Sequence, residues 1–214
     1  MKPDEAAIRV LAVDDHPLLR EGIRALISKE LDMDLIAEAS NGREAVDAFR
    51  RYRPDVTLMD MQMPEMNGID ALIAIRNESP SAKLIVLTTY GGDALAERAL
   101  KAGAQAYVLK SLVRKDLLET IRAVHTGEKR IHPGIATEIA SHMGEGALSA
   151  REIQVLKLVA AGNSNKLIAA HLAISEETAK GHLKNIMMKL GARDRTHAVT
   201  IALGRGILEL PSPK

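Results

Sequence analysis

The sequence predicts an α/β doubly wound domain built on a five-stranded parallel sheet, followed by a smaller all-α domain of four helices. Three observations carry that reading. Five short aliphatic runs alternate with helical patterns up to residue 126. No strand pattern survives beyond Leu148. Charge also divides the chain: residues 1–146 carry 19 Lys and Arg against 23 Asp and Glu (net −4), and residues 147–214 carry 10 against 5 (net +5), which together give the totals of 29 and 28. A basic segment joined to an acidic one is the electrostatic footprint of a nucleic-acid-binding module attached to a different module.

The aliphatic runs are Ile8 to Val13, Leu35 to Ala39, Val56 to Met59, Leu84 to Leu87 and Ala106 to Leu109. Runs this apolar fit parallel strands covered on both faces. Helical patterns occupy 17–29, 43–52, 69–78, 93–101 and 114–126, the first opening on Pro17 at a position suited to a first turn. Parallel neighbours need helical crossovers, and those crossovers are right-handed. The expected strand order is therefore 2-1-3-4-5, a flavodoxin-like arrangement.

In that order the chain direction switches between the first and third strands, and ligands bind outside the carboxyl ends of strands at such a point. The first strand ends in Asp14 and Asp15, the third in Asp60, the fourth in Thr88 and Thr89, and the fifth in Lys110. Converging carboxylates repel unless they hold a cation or a proton. An acidic cluster with a hydroxyl and an ammonium on one rim suits phosphoryl transfer, with a hard ion such as Mg²⁺ among the carboxylates and Lys110 and Thr88 on the remaining phosphoryl oxygens. The methionines at 59, 61, 63 and 66 are read as packing around the loop, because neighbouring carboxylates favour hard ions over copper. His16, before Pro17, is read as a loop residue at a helix start.

The segments DDHPLLREGI, DVTLMDMQMPEMNG, LTTY and AYVLK resemble the receiver domain of two-component response regulators of the NarL/FixJ subfamily, over about 125 residues. The resemblance implies that Asp60 accepts a phosphoryl group from a sensor histidine kinase. It implies Mg²⁺ bound by Asp15, Asp60 and the backbone carbonyl of Gln62, with Asp14 assisting through water. Thr88 then follows the phosphoryl group, Lys110 pairs with it, and Tyr107 occupies the aromatic position that changes rotamer on activation.

After residue 147, Ser149 and Glu152 have the spacing of a capping box before a helix whose expected buried stripe is Ile153, Leu156 and Val159, ended by Gly162. A helix over 166–172 follows. Ser175 caps the next, 176–190, terminated by Gly191. On it Ala179, Leu183, Ile186, Met187 and Leu190 share one face, leaving Lys180, Gly181, Lys184 and Met188 on the other. Two lysines beside a glycine let that face approach a duplex closely, with the lysines reaching phosphates or guanine edges. A fourth helix, 195–208, carries Ala198, Val199, Ile201, Ala202 and Leu203, more apolar surface than one seam needs.

The segment from Leu148 to Val199 resembles the LuxR-type DNA-binding domain, a helix-turn-helix. The resemblance implies groove contacts by Lys180 and Lys184 beside Gly181, and backbone contacts by Asn165, Lys166, Thr178, His182 and Lys189. It also implies that the last helix serves dimerisation, and two copies then read a pseudo-palindromic site in promoter DNA.

The expected organisation is a receiver over 1–127, a hinged linker over 128–146 containing a short helical pattern at 135–143, and the DNA-binding domain over 147–214. With no cysteine there is neither disulfide nor thiolate chemistry, and with no long apolar stretch or secretory signal the chain is expected in the cytoplasm, away from membranes. The expected function is a phosphorylation-controlled regulator of transcription, a homodimer when active and no enzyme beyond phosphoryl acceptance and slow self-dephosphorylation tuned by Gln62 and Tyr90. An aspartyl phosphatase of the haloacid dehalogenase type wants a second aspartate where Gln62 stands. A flavin or nucleotide binder wants a glycine- or hydroxyl-rich phosphate loop where Asp14, Asp15, His16 and Pro17 stand. A regulator that binds DNA regardless of Asp60 is the remaining alternative.

Overall fold

The computed structural model describes residues 6–89, 93–131, 137 and 148–208. The chain divides into two compact units, Met1–Thr89 with Ala96–Ala136, and Tyr90–Leu95 with Thr137–Lys214. Tyr90 and most of the expected helical pattern at 135–143 lie outside the described residues.

The first unit alternates β1 (Ile8–Val13), α1 (Pro17–Ile27), β2 (Met33–Ala39), α2 (Gly42–Tyr52), β3 (Val56–Asp60), α3 (Gly68–Glu78), β4 (Leu84–Thr88), α4 (Asp93–Lys101), β5 (Ala106–Leu109), a 3-10 turn (Lys110–Leu112), α5 (Val113–His125) and β6 (Arg130–Ile131). The sheet order is 2-1-3-4-5-6 and every pairing is parallel. Successive side chains leave opposite faces of a strand, and here both faces are covered. Val10, Ala12, Val56, Leu58, Ile85, Leu87, Ala106 and Val108 pack in one cluster with Ile23 and Ile27 of α1 and Leu117 and Ile121 of α5. Leu11, Val13, Met59 and Val86 alternate with them and are equally buried. That double burial is why the strands read as continuous apolar runs.

The sixth strand departs from the expectation of five. Arg130 and Ile131 fall in the expected hinged linker, yet they pair with Ala106 and Tyr107, and the Arg130 N–H donates to the carbonyl of Gln105 at 2.9 Å. A two-residue edge strand is too short to produce any periodicity.

Register fixes what the strand ends present. Val13 lies beside Met59, Asp60 beside Leu87 and Thr88 beside Leu109. Asp14, Asp60, Thr88 and Lys110 therefore leave neighbouring strands at nearly one level. The loop after β3 closes tightly on that rim: the Gly68 N–H donates to the Met61 carbonyl at 3.1 Å, and a Cβ at Gly68 would stand 1.9 Å from the Asp60 carbonyl oxygen. Only glycine fits there.

The second unit comprises α6 (Ala150–Ala160), α7 (Asn165–Leu172), α8 (Glu176–Leu190) and α9 (Arg195–Gly204). Side-chain caps start all four: Ser149, with the full capping box to Glu152, then Ser164, Ser175 and Asp194. Ala173 closes α7 at φ +53° and Gly191 closes α8 at φ +61°. The core gathers Val155, Leu156, Val159, Ile168, Ala169, Ala179, Leu183, Ile186, Leu190, Ala198, Ala202 and Leu208.

Two expectations shift. The buried stripe of α6 is Glu152, Val155, Leu156 and Val159, with Ile153 only half-buried. The face is rotated because Glu152 turns inward. The last helix stops at Gly204, ahead of a turn at Gly206 (φ +69°), and Val199, Ile201 and Leu203 are half-buried against their own core. Much of the apolar excess read from the sequence is thus taken up within the unit. Among the described residues no helix is long and apolar enough to cross a membrane.

Candidate functional site

The carboxyl edge of the sheet collects a buried charge cluster. Asp14 is 0% exposed and Asp60 2%. Lys110 Nζ lies 2.8 Å from Asp14 Oδ2 and 2.8 Å from Asp60 Oδ2. The one ammonium is shared between both carboxylates, and neither oxygen has a further partner among the described residues. One ammonium faces two inner carboxylates and a third, Asp15, at the rim. The cluster is short of positive charge.

Electrostatics register that shortage. Burial pushes the Asp60 carboxyl up to about 6; the Asp14 charge adds to the rise and Lys110 opposes it. For Lys110, burial alone would pull the ammonium down, yet the Asp60 and Asp14 carboxylates outweigh it and raise its pKa. The Gln62 N–H stands 3.4 Å from Asp60 Oδ1, which places the Gln62 backbone next to Asp60 while its side chain is exposed.

Asp14, Asp15, His16 and Asp60 each bring one ligand atom within 4.8 Å of all the others. Carboxylate oxygens gathered in that arrangement fit a hard divalent cation such as Mg²⁺. Thr88 is 2% exposed at the end of β4, whereas Thr89 is exposed. Tyr107 is 1% exposed, turned into the interior. Asp14, Asp15, Asp60, Gln62, Thr88 and Lys110 therefore lie along one edge of the sheet.

His16 sits in the expected loop, at the N-cap of α1, without a side-chain cap bond. Its ring is nonetheless part of the cluster, with Nδ1 2.6 Å from Asp15 Oδ1 and 3.1 Å from Asp14 Oδ1. Adjacency to two aspartates was the available signal.

The second unit presents a polar helix face. Lys180, Gly181 and Lys184 are exposed on α8, as is Met188 at 73%, and a Cβ on Gly181 would meet nothing within 4 Å. Thr178 and Lys166 are exposed and His182 half-buried. Lys180 also lies 3.5 Å from Glu176 and 4.0 Å from Glu177 on the first turn of the same helix. Asn165 opens α7 with a buried Oδ1 that has no hydrogen-bond partner among the described residues.

Lys189 is placed differently from the other basic residues. Its Nζ lies 2.7 Å from Glu152 Oε2, and that same oxygen accepts the Ser149 N–H at 2.7 Å. Burial alone would raise the Glu152 carboxyl, but the bonds from Lys189 and Ser149 prevail and lower it. The pair ties the C-terminal end of α8 to the start of α6. Sequence reasoning found the capping box but not this bond across 37 residues.

A parallel sheet with an acidic, lysine-bearing edge, joined to a capped helix-turn-helix, defines a signal-receiving module coupled to a DNA-binding one. Residues 10–122 match the response regulator receiver domain, and residues 146–202 match the bacterial regulatory proteins of the luxR family. The chain belongs to the DNA-binding response regulators of two-component systems, a family of transcription regulators. It is 35% identical over 207 residues to the response regulator protein VraR of Staphylococcus aureus, covering 94% of this chain and 99% of that protein. Among solved structures it resembles ChrA, the response regulator of a heme-sensing two-component system, at 35% identity and TM-score 0.57 over 95% of this chain and 100% of that one. It also resembles RcsB of Salmonella enterica serovar Typhimurium, bound to a promoter in the presence of the phosphomimetic BeF3−, at 26% identity and TM-score 0.72 over 91% and 97% of the two chains.

Proposed function

We propose that Asp60 accepts a phosphoryl group from a sensor histidine kinase and thereby controls dimerisation and promoter binding. The observation that supports this reading is Lys110 Nζ, 2.8 Å from both Asp14 and Asp60, in a buried cluster with fewer cations than carboxylates. A carboxyl at about 6 is mostly ionised near neutral pH, so an Asp60 oxygen can attack phosphorus as the P–N bond of a phosphohistidine breaks. Asp14, Asp15, Asp60 and the Gln62 carbonyl would hold Mg²⁺, which when bound supplies charge to the transferring phosphoryl oxygens. Lys110 and the Thr88 hydroxyl engage the remaining oxygens, and Tyr107 follows Thr88. Slow hydrolysis at this site is the only turnover expected.

The DNA-reading residues are Lys180 and Lys184 with Gly181 between them, supported on the phosphate backbone by Asn165, Lys166, Thr178 and His182. Lys189 contributes to the backbone only by giving up part of its bond to Glu152. The working boundaries are a receiver over 1–127, a linker over 128–146 whose start includes β6, and the DNA-binding domain over 147–214. Phosphorylation allows two copies to bind promoter DNA in the cytoplasm.

The test compares operator binding of wild type and Asp60→Asn, each with and without acetyl phosphate and Mg²⁺. Tighter binding by phosphorylated wild type, absent in Asp60→Asn, is expected. Equal binding under all four conditions would replace this reading with a regulator that ignores phosphorylation.

A further inference from the structure

We infer that Arg20 is a positioning residue for the acidic site: its guanidinium holds the peptide that joins Asp14 to Asp15 and thereby directs both carboxylates toward a bound Mg²⁺. This role rests on the proposed metal role of Asp14 and Asp15 and adds the residue that keeps them in place.

The need arises where β1 stops. Its last paired residue is Val13, beside Ala39 on one side and Met59 on the other. One residue further, the Asp14 N–H still donates to the Ala39 carbonyl at 3.1 Å, but among the described residues no backbone N–H donates to the Asp14 carbonyl. Asp14 is fully buried, and a buried carbonyl without a partner is costly.

Arg20 supplies the missing donor. α1 begins at Pro17 after the N-cap His16, so Arg20 is its fourth residue. Helix side chains lean back toward the N-terminus, and a long one at that position reaches over the first turn to the strand end. Its Nη1 donates to the Asp14 carbonyl at 2.5 Å, with the side chain half-buried. A cation near the positive end of a helix is locally unfavourable. The placement therefore serves the strand end and not α1 itself.

The carbonyl belongs to the peptide unit between the two aspartates. That unit is planar, so holding its oxygen restrains ψ of Asp14 and φ of Asp15 together. Both side chains then start from fixed bases: Asp14 Oδ1 accepts the His16 N–H at 2.8 Å, Asp14 Oδ2 lies 2.8 Å from Lys110 Nζ, and Asp15 Oδ1 lies 2.6 Å from His16 Nδ1. Groups that orient metal ligands change metal affinity by about tenfold or more when removed. Arg20 acts through the backbone, so its loss weakens metal binding without altering the reacting oxygen of Asp60.

The experiment uses the full chain as wild type, Arg20→Met, which keeps the stem and removes donors and charge, and Arg20→Lys, which restores a shorter donor. Calorimetric titration with MgCl2 gives the affinity, phosphorylation by acetyl phosphate at saturating Mg²⁺ gives the chemical rate, and carbonyl-carbon NMR reads the Asp14 hydrogen bond. Arg20→Met should lose about tenfold in Mg²⁺ affinity, with the saturated rate changed by less than about threefold and the Asp14 carbonyl resonance moved upfield. Arg20→Lys should fall between the two in affinity and in carbon shift, and it keeps the test decisive if Arg20→Met does not fold. Wild-type Mg²⁺ affinity in variants whose Asp14 resonance has moved, with only a lowered thermal midpoint, makes Arg20 a structural residue and overturns the inference, as does an unmoved resonance. Failure of wild type to bind Mg²⁺ overturns the metal site on which the role depends.

Discussion

Replacing Asp60 by asparagine should stabilise the metal-free protein, and the size of the effect follows from the burial of the charge. Asp60 is 2% exposed, and its carboxyl is raised from 3.8 to about 6, with desolvation as the largest cause. A rise of about two units at 1.36 kcal/mol per unit amounts to about 3 kcal/mol of destabilisation once Asp60 is ionised. The folded state holds this proton more tightly than the unfolded chain does. The associated stability is therefore whole below pH 3.8 and is lost as pH rises through about 6. Asparagine keeps the shape and carries no charge, so Asp60→Asn should gain about 2–3 kcal/mol over wild type above roughly pH 7, shrinking toward zero near pH 4. Urea unfolding in EDTA, read by pulsed hydrogen exchange at β1 and β3 peptides from pH 4 to 8, measures the gap. Mg²⁺ should narrow it by stabilising wild type through mass action. A gap that stays constant across this pH range would refute the assignment of the cost to a buried carboxylate.

Gly68→Ala places a methyl where 1.9 Å separates it from the Asp60 carbonyl, so it should cost about 2–3 kcal/mol in thermal unfolding and abolish phosphoryl acceptance from acetyl phosphate. Ala173→Gly relieves an alanine held at φ +53° in the helix-turn-helix and should raise stability by up to about 1 kcal/mol, seen as a higher urea midpoint. Glu152→Ala removes the partner of Lys189 and the acceptor of the Ser149 N–H together, and should cost about 1–3 kcal/mol in the same assay. Lys184→Ala should lower the slope of log affinity against log salt by about one if it meets a phosphate, or relax sequence preference if it meets a guanine; neither change would remove it from the interface.

The parts of the fold that were legible are those in which one residue type has one physical use. Ser149 and Ser175 begin helices because short polar side chains accept from N–H groups that no helix can satisfy internally, and that signal survives in sequence. The strands declared themselves because helices on both faces demand unbroken apolar runs. Illegible were the features with no period or no local partner. Arg130 and Ile131 form a strand only because β5 offers an open edge. Glu152 turns a helix face inward for Lys189, 37 residues away. Val199, Ile201 and Leu203 looked surplus until their own core took them in.

The sequence by itself determined which groups are available: three carboxylates, a hydroxyl and a lysine at strand ends, and a lysine-bearing helix with a glycine among its lysines. Covalent order and side-chain periodicity are enough for that, since strand ends and helix faces follow from spacing alone. Tertiary structure decided how those groups act on one another. Register brought Lys110 to 2.8 Å from two aspartates, burial raised Asp60 to about 6, and the turn before Pro17 swung His16 onto Asp15. Distance and desolvation set such energies, and both exist only once the chain has packed.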